Sequence, residues 1–324
     1  MELVSVDIGG THARFTIATI GANGITLAEP QTLHTKDHAS FETAWEHYAQ
    51  LAGRPLPRAV ALAVAGPVGG ESIHFTNNPW VIRPALLPEA LGVDKVTIIN
   101  DFAAVGHAVA HAGEEHFLHL TGPQVALPKS GTISVLGPGT GLGVAHIWRD
   151  EQMNFYHVAA TEGGHIDFPP LDAIDDALLA RLRKRHRRVS VERIVSGPAI
   201  VDIYETLAAL EGRPFTPADD RTIWTKGTAR EDTLMAAAVD RFCLSLGAAA
   251  GDYALAQGAN AVVIAGGLGL RIKDTLLTSG FAERFRAKGR FESLMAAMPV
   301  CLITHPQPGL LGAAAAFQKE HPDV

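Results

Sequence analysis

At 324 residues the chain is long enough for two lobes, each with its own core, and short for three. A hydrophobic share of 47% against 19% charged residues is the balance of a soluble globular protein and excludes global disorder. The formal net charge of −7 argues against a nucleic-acid surface and against attachment to an anionic membrane.

From the start, Val4, Val6 and Ile8 alternate, the chain turns at Gly9 and Gly10, and alternation resumes at Ala13, Phe15 and Ile17. Period-two patterning on both sides of a Gly-Gly turn predicts a β-hairpin. A dinucleotide fingerprint needs strand, glycine turn and then helix, and a Walker A loop needs a Gly-Lys dipeptide that the chain lacks. A glycine hairpin can still hold phosphate, because backbone N–H groups approach anionic oxygens closely there and Thr11 adds a hydroxyl. Asp7 ends the first strand, where it could orient a magnesium ion through water. An ordinary tight turn with a polar edge would read the same way.

Pro30 to Pro57 reads as a connection followed by a helix around Phe41 to Leu51, and Ala59 to Ala65 as a buried strand. The loop AGPVGGESIHFTNNPW then carries Asn77, Asn78 and Trp80, which suit a polar ligand but suit turn chemistry better. Next comes VTIINDF. Val96 to Ile99 has strand composition, is expected in the middle of its sheet, and delivers Asn100 and Asp101 just before a helix. Open α/β sheets bind ligands at the carboxyl ends of their strands, which makes Asp101 a candidate general base. The alternative is that Asp101 caps the helix. A base that accepts its proton late needs only an ordinary carboxylate pKa. His107 and His111 share one face of that helix, with His116 and His119 beyond; no HExxH pattern accompanies them, so a solvated or packing role is expected.

Thr132 to Ile147 repeats the opening device, with Gly137, Gly139, Thr140, Gly141 and Gly143 between apolar flanks. Two strand–glycine–strand units in succession predict two related lobes, each giving a phosphate-facing hairpin to a shared cleft. In ATEGGHIDF, Glu162 and His165 flank two glycines on a bent loop, and their groups suit adjacent hydroxyls of a neutral polyol, or a bland loop. Leu171 to Arg188 reads as an amphipathic helix with acids at its start and the basic run RLRKRHRR at its solvated end. Glu192 follows Ser190, a candidate N-cap, and reads by itself as a first-turn acid. Arg213 to Arg230 is expected as a loop and Thr233 to Ala256 as a long Ala-rich helix. Ala261 to Ala265 is a third buried strand, and Gly266, Gly267 and Gly269 after it offer either flat access for a purine or ribose or a tight turn. Val300 to Ile303 is a strand, and a helix from Leu311 to about Lys319 is expected to return to the first lobe.

No secretory leader is visible, and the apolar runs Ala259 to Leu270 and Leu310 to Phe317 are glycine-broken and too short to span a bilayer, so a cytoplasmic location is expected. The two cysteines, Cys243 and Cys301, lie far apart in hydrophobic surroundings and read as buried thiols.

In order, DIGGTHARF, TNNPW, IINDFAAV, LGPGTGLGVAH, EGGHIDF, VERIVSGP, IAGGLG and PGLLGAAAA resemble the bacterial ATP-dependent glucokinases of the actin-like sugar kinase superfamily, over nearly the whole chain. The resemblance implies an α/β, two-lobed actin-like (ribonuclease H-like) ATPase fold with a central interdomain cleft. It implies a small domain of residues 1–110 plus 303–324 and a large one of 111–302. By the same resemblance Asp101 takes the proton from the 6-hydroxyl of glucose, and Asn100, Glu162, His165, Glu192 and, more loosely, Asn77 bind the sugar. Val6, Asp7, Ile8, Gly9, Gly10 and Thr11, with Gly137, Gly139, Thr140 and Gly141, resemble the phosphate loops, and Gly266 and Gly267 the nucleoside side. ATP and Mg2+ are the implied cofactors, and a homodimer the implied assembly. His12 departs from the family's usual asparagine in GGTNAR, which predicts altered supporting contacts and retained activity. The cysteine-rich zinc motif of the related repressor and open-reading-frame kinase group is absent. The rival readings are a mannose or fructose kinase on the same fold, or a sugar-sensing regulator without turnover.

Overall fold

The computed structural model describes the chain except for Asn23, Thr76, Asn77, Phe215 and Val324. The chain divides into two compact units, Met1–Gly113 with His305–Val324, and Glu114–Thr304.

The first unit contains β1 (Glu2–Ile8), β2 (His12–Gly21), β3 (Gly24–Leu27), β4 (Gln31–His34), α1 (Phe41–Ala52), β5 (Ala59–Val64), β6 (Ile73–His74), β7 (Val81–Ile82), α2 (Leu87–Leu91), β8 (Lys95–Asn100) and α3 (Asp101–His111), and the C-terminal helix Pro308–Glu320. Its main sheet runs β3-β2-β1-β5-β8, with β4 also pairing β2. β1 and β2 form the expected antiparallel hairpin, while β5 and β8 continue parallel to β1. The sequence of β5, AVALAV, shows how the layers form: all six residues are buried, but alternate ones face opposite ways. Val60, Leu62 and Val64 join Phe15, Phe41, Tyr48 and Trp80 in one core. Ala59, Ala61 and Ala63 meet Ala313, Ala314 and Phe317 of the C-terminal helix in another, so small side chains on both surfaces let helix and sheet approach closely.

The second unit contains β9 (Phe117–Thr121), β10 (Gly131–Pro138), β11 (Leu142–Asp150), β12 (Phe155–Thr161), α4 (Ala173–Leu182), α5 (Ile200–Leu210), α6 (Asp220–Thr228), α7 (Thr233–Ala256), β13 (Ala259–Ile264), four short helices α8 (Gly266–Arg271), α9 (Lys273–Thr278), α10 (Phe281–Arg286) and α11 (Glu292–Ala296), and β14 (Val300–Ile303). Its sheet runs β12-β11-β10-β13-β14-β9. An antiparallel three-strand meander followed by two parallel strands is thus the plan of both sheets, with β9 added antiparallel at the far edge of the second. This repeat is the structural counterpart of the two glycine hairpins seen in the sequence. The helix α7 is long and apolar enough to cross a membrane by composition, with mean hydropathy 1.3, but 83% of that stretch is buried inside the protein as its core helix.

Three sequence expectations are corrected. β8 is the last strand of its sheet and not a middle one: it pairs only with β5 among the described residues, and its apolar composition reflects cover from helices, with Thr97 Oγ1 donating to Glu320 Oε2 at 2.6 Å. The expected helix Leu171 to Arg188 is shortened to Ala173–Leu182. Asp172 begins it as a true cap, accepting from Ile174 N and Asp175 N, while beyond the helix Arg185 pairs with Asp202 and Arg188 with Asp167. The expected loop 213–230 contains α6, capped by Asp219, whose buried Ile223 and Trp224 are adjacent and so give no helical period. Gly266 and Gly267, which follow β13, open α8.

Candidate active site

The first unit gathers its candidate residues at the carboxyl ends of β1 and β8. The turn between β1 and β2 is closed by Gly9 N donating to His12 O at 2.9 Å, and Thr35 fixes its far side through Oγ1 to Gly10 O (3.1 Å) and N to Thr11 O (3.0 Å). Thr11 remains exposed at the tip, where a phosphate oxygen can reach its hydroxyl. Val6 and Ile8 point into the core and hold the strand, whereas Asp7 between them is half-buried.

Two neighbours place the Asp7 carboxylate. Arg14, its register partner on β2, donates Nη1 to Oδ2 at 3.2 Å. Gly309, in the first turn of the C-terminal helix, leaves room for it: a Cβ there would lie 2.8 Å from Asp7 Cγ. The partial positive charge of that helix end favours an anion. Burial nevertheless pushes the Asp7 carboxyl above the usual carboxylate range, opposed by Arg14.

At the end of β8 the two polar residues divide the work. Asn100, and not Asp101, is the cap of α3: its Oδ1 accepts from Phe102 N (2.9 Å) and Ala103 N (3.1 Å), and its Nδ2 donates to Gly66 O at 3.2 Å. That uses both lone pairs and one of two N–H groups, and the Asn100 amide also steadies the ionised Asp101 by hydrogen bonding. Asp101 accepts from Phe102 N through Oδ1 at 2.8 Å. Its carboxyl titrates at about 6, raised chiefly by burial and further by the Asp7 charge, with the Phe102 N–H opposing both. Burial thus makes Asp101 a stronger base than the ordinary carboxylate that would suffice for the role.

In the second unit the β10–β11 hairpin pairs Gly137 with Gly143 and Pro138 with Leu142, and Gly139 N donates to Gly141 O at 2.8 Å across the tip. Gly197 N donates to Gly139 O at 2.7 Å, and Trp224 Nε1 holds Gly197 O in turn. Gly266 abuts the Gly137–Pro138 peptide at the end of β13, with Gly267 exposed beside it. The glycines expected to meet phosphate and nucleoside are thereby brought together, around an exposed Thr140.

Glu192 reaches the same hairpin. It lies in a short 3-10 turn, where Ser190 makes no capping hydrogen bond, and its Oε2 accepts from Leu142 N at 2.9 Å. Val191 N donates to Ile166 O at 2.9 Å, joining this turn to the EGGH segment. In that segment Tyr253 OH donates to Gly163 O at 2.6 Å and Thr161 Oγ1 accepts from Gly163 N at 3.1 Å, so the backbone is fixed while Glu162 and His165 stay exposed, 3.8 Å apart.

Asn77 lies outside the described residues. Asn78 is buried and serves the turn, accepting from Trp80 N at 3.0 Å. His12 stacks obliquely on His34, ring centroids 4.5 Å apart. His107 is buried on α3, and His119 Nε2 lies 2.9 Å from Gly122 O. Thr35 and Tyr253 escaped the sequence reading, because each acts on a backbone and belongs to no motif, and Gly309, although inside PGLLGAAAA, was given no role there because it acts through shape alone.

A sequence model of the glucokinase family matches residues 4–320. The chain belongs to the glucokinase family. It is 58% identical over 326 aligned residues to a glucokinase of Zymomonas mobilis, covering 100% of both chains. The crystal structure of a glucokinase from an Antarctic psychrotroph matches with a TM-score of 0.87 at 35% identity, over 98% of this chain and 99% of that one. At the level of fold alone, a ROK family glucokinase from Streptomyces griseus, solved in complex with glucose and AMPPNP, matches with a TM-score of 0.64 at 18% identity, over 98% of this chain and 100% of that one. The architecture is the actin-like, two-lobed α/β fold of sugar kinases.

Proposed function

We propose that this glucokinase-family chain transfers the γ-phosphoryl group of ATP to the 6-hydroxyl of glucose, giving glucose 6-phosphate and ADP, with Asp101 as general base. The observation that carries the assignment is the Asp101 carboxylate. One oxygen is held by Phe102 N–H, and its pKa of about 6 is close enough to neutrality to be ionised in the resting enzyme yet basic enough to accept a proton.

Phosphoryl transfer asks the protein for positioning and charge stabilisation more than for covalent chemistry. The backbones of Gly10 and Thr11 and of Thr140 and Gly141 supply N–H groups for phosphate oxygens, those of Gly9 and Gly139 being spent on closing the two turns, and Gly266 and Gly267 border the nucleoside. Asn100, Glu162, His165 and Glu192 bind sugar hydroxyls. Glu192 does so with Oε1, since Oε2 is committed to Leu142 N. A sugar that lacks or inverts one hydroxyl leaves such a group unpaired, which is how the site rejects it.

The donor set fits Mg2+, a hard cation that takes one or two carboxylates and completes its shell with water and phosphate. Asp7 would hold it through water, its carboxylate already oriented by Arg14 and Gly309. When bound, the ion neutralises charge on the phosphates. We extend the reading to a cytoplasmic homodimer, which light scattering tests by returning twice the chain mass.

A coupled assay with glucose, mannose and fructose separates the hexose kinases, and equilibrium glucose binding without turnover identifies a sensor. Glucose turnover is expected, with Asp101→Asn lowering kcat by about 10²- to 10⁴-fold while glucose binding persists. Full activity in that variant removes Asp101 as the base.

A further inference from the structure

We propose a second anion site in the second unit, on the turn that follows α4, which takes the dianion of a phosphate group and strengthens glucose binding through the adjoining strands. The basic run Arg181 to Arg188 splits by partner. Arg181 and Arg185 spend their charge on Asp202 and Glu205 of α5. The side chains of Arg183 and Arg187 have no hydrogen-bond or ion-pair partner among the described residues, and both residues line a cavity of about 220 Å3 with Arg188, Asp167 and Phe168. Asp167 is the one carboxylate there, and Arg188 Nη1 already engages it at 3.1 Å. Two exposed arginines without a carboxylate partner therefore line one small cavity in a protein whose net charge is −7.

Like charges lining one cavity without a counter-anion repel, and guanidinium is the side chain whose planar fork matches phosphate oxygens. A phosphate monoester, with a second pKa near 6, carries close to the two negative charges that the pair lacks at neutral pH. Sulfate-sized and sugar-phosphate-sized anions both have a polar mouth of exposed arginines to enter by.

The cavity is wired to the residues that we assign to glucose, and the coupling half of the proposal rests on that assignment. Its floor carries a bridge between Asp167 and Ser190, flanked by Phe168 N donating to Val189 O at 3.0 Å and Val191 N donating to Ile166 O at 2.9 Å. His165 lies two residues before one side of that bridge and Glu192 two residues after the other. An anion that relieves the repulsion on the Arg183–Arg188 turn steadies both strands where they lead into the sugar ligands.

The test is calorimetric titration of the full chain with inorganic phosphate and, separately, with glucose 6-phosphate, while AMPPNP, Mg2+ and glucose saturate the catalytic site. Saturable binding is expected. The double variant Arg183→Gln with Arg187→Gln should weaken it by about tenfold or more, while Arg185→Gln, whose partner is Asp202, leaves it unchanged. Binding of both ligands assigns the site to the phosphate group, and binding of the sugar ester alone assigns it to the product; either supports an anion site. Absence of saturable binding, or equal binding in the double variant, overturns it. By reciprocity, phosphate should tighten glucose binding by about three- to tenfold in the parent and not in the double variant. Phosphate binding with no effect on glucose overturns the coupling alone. If the chain failed to phosphorylate glucose at all, repeating the phosphate titration without glucose would still judge the anion site.

Discussion

Glu192 occupies the space that a side chain at residue 141 would fill: a Cβ on Gly141 would lie 2.4 Å from Glu192 Oε2, the oxygen that accepts from Leu142 N. A glycine assigned to phosphate and a carboxylate assigned to sugar are in this way parts of one packed arrangement, so neither can be altered alone.

Gly141→Ala should therefore act on glucose as well as on nucleotide. With the carboxylate displaced and its hydrogen bond lost, the KM for glucose is expected to rise by about tenfold or more, from the loss of a charge-assisted hydrogen bond. Steady-state kinetics with glucose varied at saturating ATP check this. An effect confined to the KM for ATP would separate Glu192 from the sugar.

The titration of Asp101 sets the acid limb of activity. The base must be ionised, so kcat/KM for glucose should fall as pH drops through about 6, the value to which burial raises this carboxyl. A carboxylate at its ordinary value would place the limb about two pH units lower. The pH profile of the free enzyme distinguishes the two.

The same shift carries a stability cost. Because the folded carboxyl titrates above its unfolded value, the fold favours the neutral form; that contribution is complete below about pH 4 and is lost as pH rises through about 6. Asp101→Asn mimics the neutral acid and can keep the bond to Phe102 N. It should raise unfolding stability by about 1–2 kcal/mol at pH 7 and change it little at pH 4. Denaturant melts at the two pH values read this directly, and a variant no more stable at pH 7 than the parent would contradict it.

Gly309→Ala tests the placement of Asp7. The added methyl would fall 2.8 Å from Asp7 Cγ, inside contact distance, so carboxylate or helix must shift. We expect a higher Mg2+ requirement and a kcat lowered by about tenfold or more, since misplacing a catalytic group by about 1 Å has costs of that order or greater. Glucose affinity in the absence of nucleotide should hold. Loss of glucose binding instead would mean that the substitution disrupts the fold of the first unit.

Much of this was legible in the sequence. Alternation around Gly9–Gly10 and around Gly137–Gly143 gave both hairpins, because strand period and glycine turns are local properties of the chain. The length of α7, Thr233 to Ala256, was equally plain from its Ala-rich run, and the structure adds Asp232 as its cap. Asp101 stood out since an acid at the end of an apolar strand is a local pattern too.

What composition could not tell was how neighbours distribute space and charge. VTII reads as interior whether strand or helix covers it, so the place of β8 at the end of its sheet needed tertiary pairing. The cap of α3 could have been either Asn100 or Asp101, and only the hydrogen bonds to Phe102 and Ala103 decided it; the burial that raises the pKa of Asp101 likewise exists only in the folded chain. Gly309 against Asp7 and Gly141 against Glu192 join residues far apart in sequence by contact alone. The chain's local chemistry dictates which strands, turns and acids exist. Their burial and mutual distances, and so their reactivity, arise only once distant segments pack.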